Sequence, residues 1–247
     1  MKKQKRLSKK AGFPLYVQAK EYLLGKIESS EWAEGGMLPR EEDLCRTLDV
    51  SRITIREAMK LLVREGKLER IPGKGTFVSR RKLEQRLDRQ FSFTRWAVLN
   101  AIEHATRILR VETLACTSHI AKHLEIGEGN LVTRIERLRL GNGEPLMAEE
   151  IWVPEALCPE LHLKDLAFVP LHDVLAKDYG IELVEAIESI EPRVASDTVR
   201  QLLHMHDPAL VQAVEHTAYT VDHKVVYFAV AQYRGDRVKF TFELTAS

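Results

Sequence analysis

The chain has 247 residues, 45% of them hydrophobic and 30% charged, which is enough apolar side chain to fill a core and too much for a disordered chain. Its length favours two domains. No run approaches the roughly 18 consecutive apolar residues of a membrane helix, and the basic start, residues 1–10, leads into no signal-type apolar segment. A cytoplasmic location without a membrane partner is therefore expected. The net charge of +1 hides an asymmetry: residues 1–82 carry 20 Lys and Arg against 11 Asp and Glu, or +9, and residues 83–247 carry 17 against 25, or −8. Such a division fits a first half that meets a polyanion; the alternative is a solvated charged surface. Cys45, Cys116 and Cys158 stand far apart without CxxC spacing, which fits thiols in a reducing compartment and neither a disulfide frame nor a zinc site.

After a basic tail, residues 1–13, apolar residues at helical spacing from Leu15 to Ser29 predict a first amphipathic helix. Gly35, Gly36 and Pro39 break the pattern, and a short helix follows over Glu41 to Leu48. Asp49-Val50 makes a turn. Ser51 is a good N-cap for a third helix running to about Arg64. Two short strands, Leu68 to Ile71 and Thr76 to Ser79, flank Pro72-Gly73-Lys74-Gly75, whose glycines suit a tight hairpin. Residues 80–91 are polar and read as a linker. Beyond them, alternating apolar residues predict strands at 106–114, 130–140, 145–153, 181–193, 209–221, 224–234 and 237–245, with helices at 117–124, 170–179 and 196–203 between them. The expected fold class is α+β in two domains, the second with a largely antiparallel sheet.

On a helical wheel the third helix places Ile55, Ala58, Met59 and Leu62 on one side and Ile53, Arg56, Lys60 and Arg64 on the other. The second face mixes guanidinium forks for guanine edges or phosphates with a hydrocarbon for thymine methyls. Ser51, Arg52 and Thr54 stand at the positive end of the helix, where phosphates are welcome. Ile53 is equally readable as an isolated surface apolar residue. Gly73 and Lys74 permit the hairpin loop a close approach to a groove.

From Pro14 to Ser79 the sequence resembles the GntR family of bacterial transcription factors. The resemblance is carried by Leu38-Pro39, by Leu44, by the run Val50-Ser51-Arg52-Ile53-Thr54-Ile55-Arg56-Glu57-Ala58 and by Gly73-Lys74-Gly75-Thr76-Phe77-Val78. It implies a winged helix-turn-helix over 14–79 that binds double-stranded operator DNA through Arg52, Thr54 and Arg56, with Gly73 close by in the wing. Where relatives often carry Ser-Glu-Arg after the Leu-Pro pair, this chain has Arg40-Glu41-Glu42. Arg40 is the candidate to replace the missing arginine.

Residues 92–247 resemble the HutC-type branch of that family, whose sensor is a UTRA domain with a chorismate-lyase-like fold of antiparallel sheet and helices. The matching pieces are Arg137-Leu138-Arg139-Leu140, Gly143-Glu144-Pro145, Glu149, Pro154, Leu175, Tyr179-Gly180-Ile181 and Tyr233-Arg234-Gly235-Asp236. Strand residues two apart share a face, so Arg137 and Arg139 can aim two planar forks at one anion; the alternative is ion pairing with Glu136, Glu144 or Glu149. The resemblance favours a small anionic metabolite, with Glu149 accepting from its hydroxyl or amine; His172 and Tyr227 are further candidate effector contacts, a packed or solvated side chain being the alternative for His172. Pro170-Leu171-His172 stands where relatives sensing phosphorylated sugars often carry a Ser-x-Tyr type motif. That removes a hydroxyl donor and leaves carboxylates and phosphonates beside sugar phosphates as candidates. Arg234 and Asp236 are expected to hold the final strands. His119 and His123 are spaced i,i+4 but lack a matching third ligand, so no metal and no cofactor are expected. The function these features imply is a ligand-responsive repressor acting as a homodimer assembled through residues 92–247. An enzyme with a lyase-like fold and a ligand-independent DNA-binding protein are the competing readings. The enzyme reading finds no nucleophile-base motif or phosphate loop in the second domain and leaves the basic helix unexplained.

Overall fold

The computed structural model describes residues 7, 12–80, 82–86 and 92–243. The chain divides into two compact units, residues 1–81 and 82–247. In the first, α1 (Leu15–Glu28), α2 (Glu41–Leu48) and α3 (Arg52–Arg64) close around Leu23, Leu44, Leu48, Ile55 and Leu62. The stripe that buries α3 is the one its periodicity dictates: Ile55, Ala58, Met59 and Leu62 are all buried. Asp49 ends α2 in left-handed backbone, φ 57 and ψ 49, a conformation Asp tolerates better than most residues. The chain thereby turns into Ser51, whose hydroxyl accepts from the Thr54 N–H at 3.2 Å. Strands β1 (Leu68–Ile71) and β2 (Gly75–Val78) pair antiparallel from Leu68 opposite Val78 to Ile71 opposite Gly75. Gly73 at φ +74 and Gly75 at φ +133 make the reversal between them. The basic tail expected at residues 1–13 lies for the most part outside the described residues.

The second unit is built on a six-stranded antiparallel sheet in the order β4-β5-β6-β9-β8-β7. Its strands are β4 (His104–Ala115), β5 (Leu131–Gly141), β6 (Glu144–Pro154), β7 (Glu185–Val194), β8 (Leu210–Tyr219) and β9 (Val225–Arg234). Both faces are covered, so β5 and β6 are buried almost throughout. One face carries α6 (Leu171–Tyr179), which buries Leu171, Val174 and Leu175 against Ile135, Ile151 and Ala229. On the same face α4 (Phe93–Leu99) sets Phe93 and Trp96 against Met147, Val214 and Tyr233. The other face carries α5 (Ser118–Leu124), packed on Trp152 and Phe228, and α7 (Asp197–Leu202), beside Leu138 and Val211. Arg234 behaves as the fold requires: it donates to Asp236 and to the Leu203 carbonyl.

Two elements correct the reading from sequence. The segment 80–91 is not wholly a linker, because β3 (Leu83–Arg86) pairs in parallel with β10 (Val238–Thr241), Leu83 opposite Val238 and Gln85 opposite Phe240. The last predicted strand shortens accordingly and leaves the main sheet. Helix α4 was not foreseen; Ser92 caps it and the Trp96 indole donates to the Glu84 carbonyl at 2.8 Å, fastening the helix to β3. Among the described residues no helix is long and apolar enough to cross a membrane.

Candidate nucleic-acid interface and effector cavity

The outward face of α3 is mostly polar, with Ile53 75% exposed and Val63 exposed near its end. Arg52 and Arg56 are exposed beside it, and both are paired within the domain. Arg52 Nη2 lies 2.5 Å from Glu42 Oε1, and Arg56 Nε lies 2.8 Å from Glu41 Oε2. Exposed pairs of this kind contribute little, so the guanidiniums are held in place without being withheld from a stronger anion. Ser51 and Thr54 hydrogen-bond each other at 2.9 Å at the start of the helix. Arg40, Lys60, Gly73 and Lys74 are exposed as well: Arg40 precedes α2, Lys60 lies on α3, and Gly73 and Lys74 form the tip of the β1–β2 hairpin. The acidic residue Glu42, at the position where an arginine contact was missed, therefore serves Arg52.

The second site is a cavity on the face of the sheet shared by α4 and α6. Alternation brings Arg137 and Arg139 to it from β5 and Glu149 from β6, where Arg137 and Glu149 are directly opposite. The β9 and β8 neighbours in this layer include Ala229 and Ala231, small enough to leave a hollow, with His216 and Tyr227 beside them. The room left there for the centres of water-sized molecules is about 30 Å³, more than a single water needs. Arg137 donates from Nε to Glu149 Oε2 at 2.6 Å, and Arg139 Nε stands 3.6 Å from the same oxygen. Arg139 donates to Thr106 Oγ1 at 2.6 Å and to Thr94 Oγ1 at 3.4 Å, and its guanidinium lies over the Phe93 ring at 5.3 Å. Both arginines are at most 5% exposed. Of the alternative partners, Glu136 pairs with Arg134 and Glu144 with Arg237, leaving Glu149 as the carboxylate within ion-pair distance of both. Arg137 Nη1 is buried without a hydrogen-bond partner.

Charge in this layer is set by burial working against proximity. Burial raises the Glu149 carboxyl, but the guanidiniums of Arg137 and Arg139 outweigh it and hold it below the usual carboxylate range. Burial, then the charge on Arg137, pushes His172 down to about 4, so its ring is neutral at pH 7. His172 Nε2 and His216 Nε2 each lie 3.0 Å from the Tyr227 hydroxyl, and His216 Nδ1 lies 2.8 Å from Glu188 Oε1. Burial raises the Tyr227 phenol and keeps its single proton in place; the hydroxyl thus donates to one imidazole and accepts from the other. The predicted residues Arg137, Arg139, Glu149, His172 and Tyr227 all line one cavity. Sequence reasoning missed Gln85, Thr94, Glu188, His216 and Tyr233, which line it too. The period-two pattern of β8 was the only available signal for His216. By contrast, His119 and His123 lie on the opposite face, where the His123 ring stacks on Phe228 with centres 4.0 Å apart.

A basic exposed helix beside a glycine-tipped hairpin, in a chain whose second unit is a sheet domain, is the architecture of a DNA-binding transcription regulator. The family model for bacterial regulatory proteins of the gntR family matches residues 15–78, and that for the UTRA domain matches residues 100–239. The chain belongs to this family: it is a DNA-binding regulator of the GntR repressor family with a UTRA domain, and not an enzyme. It is 30% identical over 234 residues to the HTH-type transcriptional repressor NagR of Bacillus subtilis, covering 95% of this chain and 96% of that protein. To the histidine utilization repressor of Klebsiella aerogenes it is 27% identical over 227 residues, covering 90% and 92%. The crystal structure of PhnF from Mycobacterium smegmatis has the same fold, with a TM-score of 0.65 at 22% identity over 95% of this chain and all of that one.

Proposed function

We propose that this chain is a cytoplasmic repressor that binds operator DNA as a homodimer and is released by a small anionic metabolite held between β5 and β6. The observation that carries this reading is the pair of buried guanidiniums sharing one carboxylate, with Arg137 Nη1 unpartnered. Burying excess charge is costly for folding, so the arrangement is better explained by an anion that completes it than by stability. Arg137 and Arg139 take the anionic group, a carboxylate, phosphonate or phosphate. Glu149 accepts from a neighbouring hydroxyl or amine, and His172 and Tyr227 close the far side. On the DNA side Arg52, Arg56 and Lys60 meet base edges and phosphates, Ile53 meets a thymine methyl, Ser51 and Thr54 meet the backbone, and Arg40, Gly73 and Lys74 flank the grooves. The name of one relative links it to the use of histidine, a metabolite that bears a carboxylate.

The test changes both arginines to glutamine and follows operator release by fluorescence anisotropy, using an operator selected from random duplexes and an inducer found by melting against an anion panel. The double variant is expected to fold, to bind operator like the parent and to stay bound when inducer is added. Normal release by the variant would remove the anion site.

A further inference from the structure

We propose that Gln85 is an effector contact in its own right and the residue through which the cavity acts on the strand leading out of the DNA-binding unit. This rests on reading the cavity as an effector site. Gln85 is 3% exposed and lines the cavity, and its amide hydrogen-bonds the Tyr233 phenol. Its Oε1 is buried without a hydrogen-bond partner. A side-chain amide presents two donors and an acceptor with two lone pairs, and a buried carbonyl left unmade is a cost that an apolar residue of similar length avoids. A buried acceptor left without a partner among the described residues, on a side chain that lines a cavity, asks for a donor. With Arg137 and Arg139 taking the anionic end, the ligand class that satisfies both is an anion bearing a hydroxyl or amino group, not a bare anion.

The backbone gives this contact a consequence. Gln85 is the third residue of a four-residue parallel ladder between β3 and β10, a small and weakly determined pairing. Four residues separate the end of β2 in the DNA-binding unit from the start of β3. One side of the cavity is made by β3, α4 and the start of α6, which bring Gln85, Phe93, Thr94, Leu171 and His172 to it. A ligand that hydrogen-bonds Gln85 selects one arrangement of β3 over others, which is what shifting an equilibrium requires.

The experiment uses the full chain, with inorganic phosphate as the bare anion and sn-glycerol 3-phosphate as the same anion carrying hydroxyls. Affinities come from thermal shifts at millimolar ligand, and protection of the residue 83–86 amides from hydrogen exchange. In the parent, glycerol 3-phosphate is expected to bind more tightly than phosphate and to raise that protection. Gln85→Met is expected to bind phosphate equally and to bind glycerol 3-phosphate about tenfold more weakly, the loss of one good hydrogen bond, without added protection. An unchanged affinity ratio or equal protection would each overturn the proposal. If Gln85→Met does not fold, Gln85→Glu, which keeps the acceptor, must retain the preference for the hydroxylated anion while weakening both ligands, and loss of that preference overturns the proposal instead. Phosphate that shifts the melting temperature of the parent and of the Arg137→Gln/Arg139→Gln variant alike, or of neither, would refute the anion site itself, separately from Gln85.

Discussion

Even Arg139, pushed down to about 10 by burial and by the charge of Arg137, keeps its proton at neutral pH, so the arginine layer of the cavity is charged throughout the physiological range. His172, close to it, is the group that reports on that layer through pH. Its folded value near 4 lies below the ordinary 6.5; between those values the unfolded chain binds a proton that the folded ring refuses. Stability therefore falls as pH is lowered from about 6.5 to about 4, by at most about 3 kcal/mol from this residue. His172→Gln is expected to flatten that part of the stability profile measured by denaturant titration, and an unchanged slope would place the ring in solvent. At this scale the sequence was readable where spacing alone sets direction, as for Arg137 and Arg139 two apart on a strand. The hydrogen-bonded set of Glu188, His216, Tyr227 and His172 was not, because its members come from three strands and a helix whose adjacency is decided by sheet order.

Helix α3 separates stability from recognition by face, and substitutions on the two faces are expected to divide the same way. Leu62 is fully buried, and Leu62→Ala removes methyl groups from a packed core at a cost of about 2–5 kcal/mol. Arg56 is exposed and, among the described residues, paired with Glu41. Arg56→Ala should leave the unfolding midpoint within about 0.5 kcal/mol of the parent and weaken operator binding by about 1–3 kcal/mol. Parallel urea titrations and DNA titrations check both, and equal operator affinity would remove Arg56 from the reading head. That helix could be read from sequence because its period, its Ser51 cap and its Gly66 stop agree. Strand β3 and helix α4 could not. The four residues of β3 have a partner at the far end of the chain, and no local pattern announces a parallel pairing so distant. Helix α4 is only seven residues long, too short to show a clear helical period, and follows a charged stretch that composition assigns to a linker.

At the scale of the whole molecule, the division between a basic first unit and an acidic second one confines attraction for DNA to one end of the chain, while any metabolite is taken up at the other. One reading head contacts few base pairs, so useful specificity calls for two half-sites about a two-fold axis. The chain is accordingly expected to sediment as a dimer at micromolar concentration; a monomer with full operator affinity would refute that assembly. If the effector acts by favouring a dimer whose heads no longer match the half-site spacing, the two sites are linked by one free energy, and linkage makes it symmetric. A coupling of about 1–3 kcal/mol, or about 5–150-fold, is the usual size. Operator affinity measured with and without saturating inducer, and inducer affinity measured with and without saturating operator, must then change by the same factor. In Arg137→Gln/Arg139→Gln both factors should fall to one while operator affinity stays. A parent in which inducer releases operator but operator leaves inducer affinity untouched would mean that release does not pass through a shared equilibrium, since a ligand that binds two arrangements equally well shifts neither.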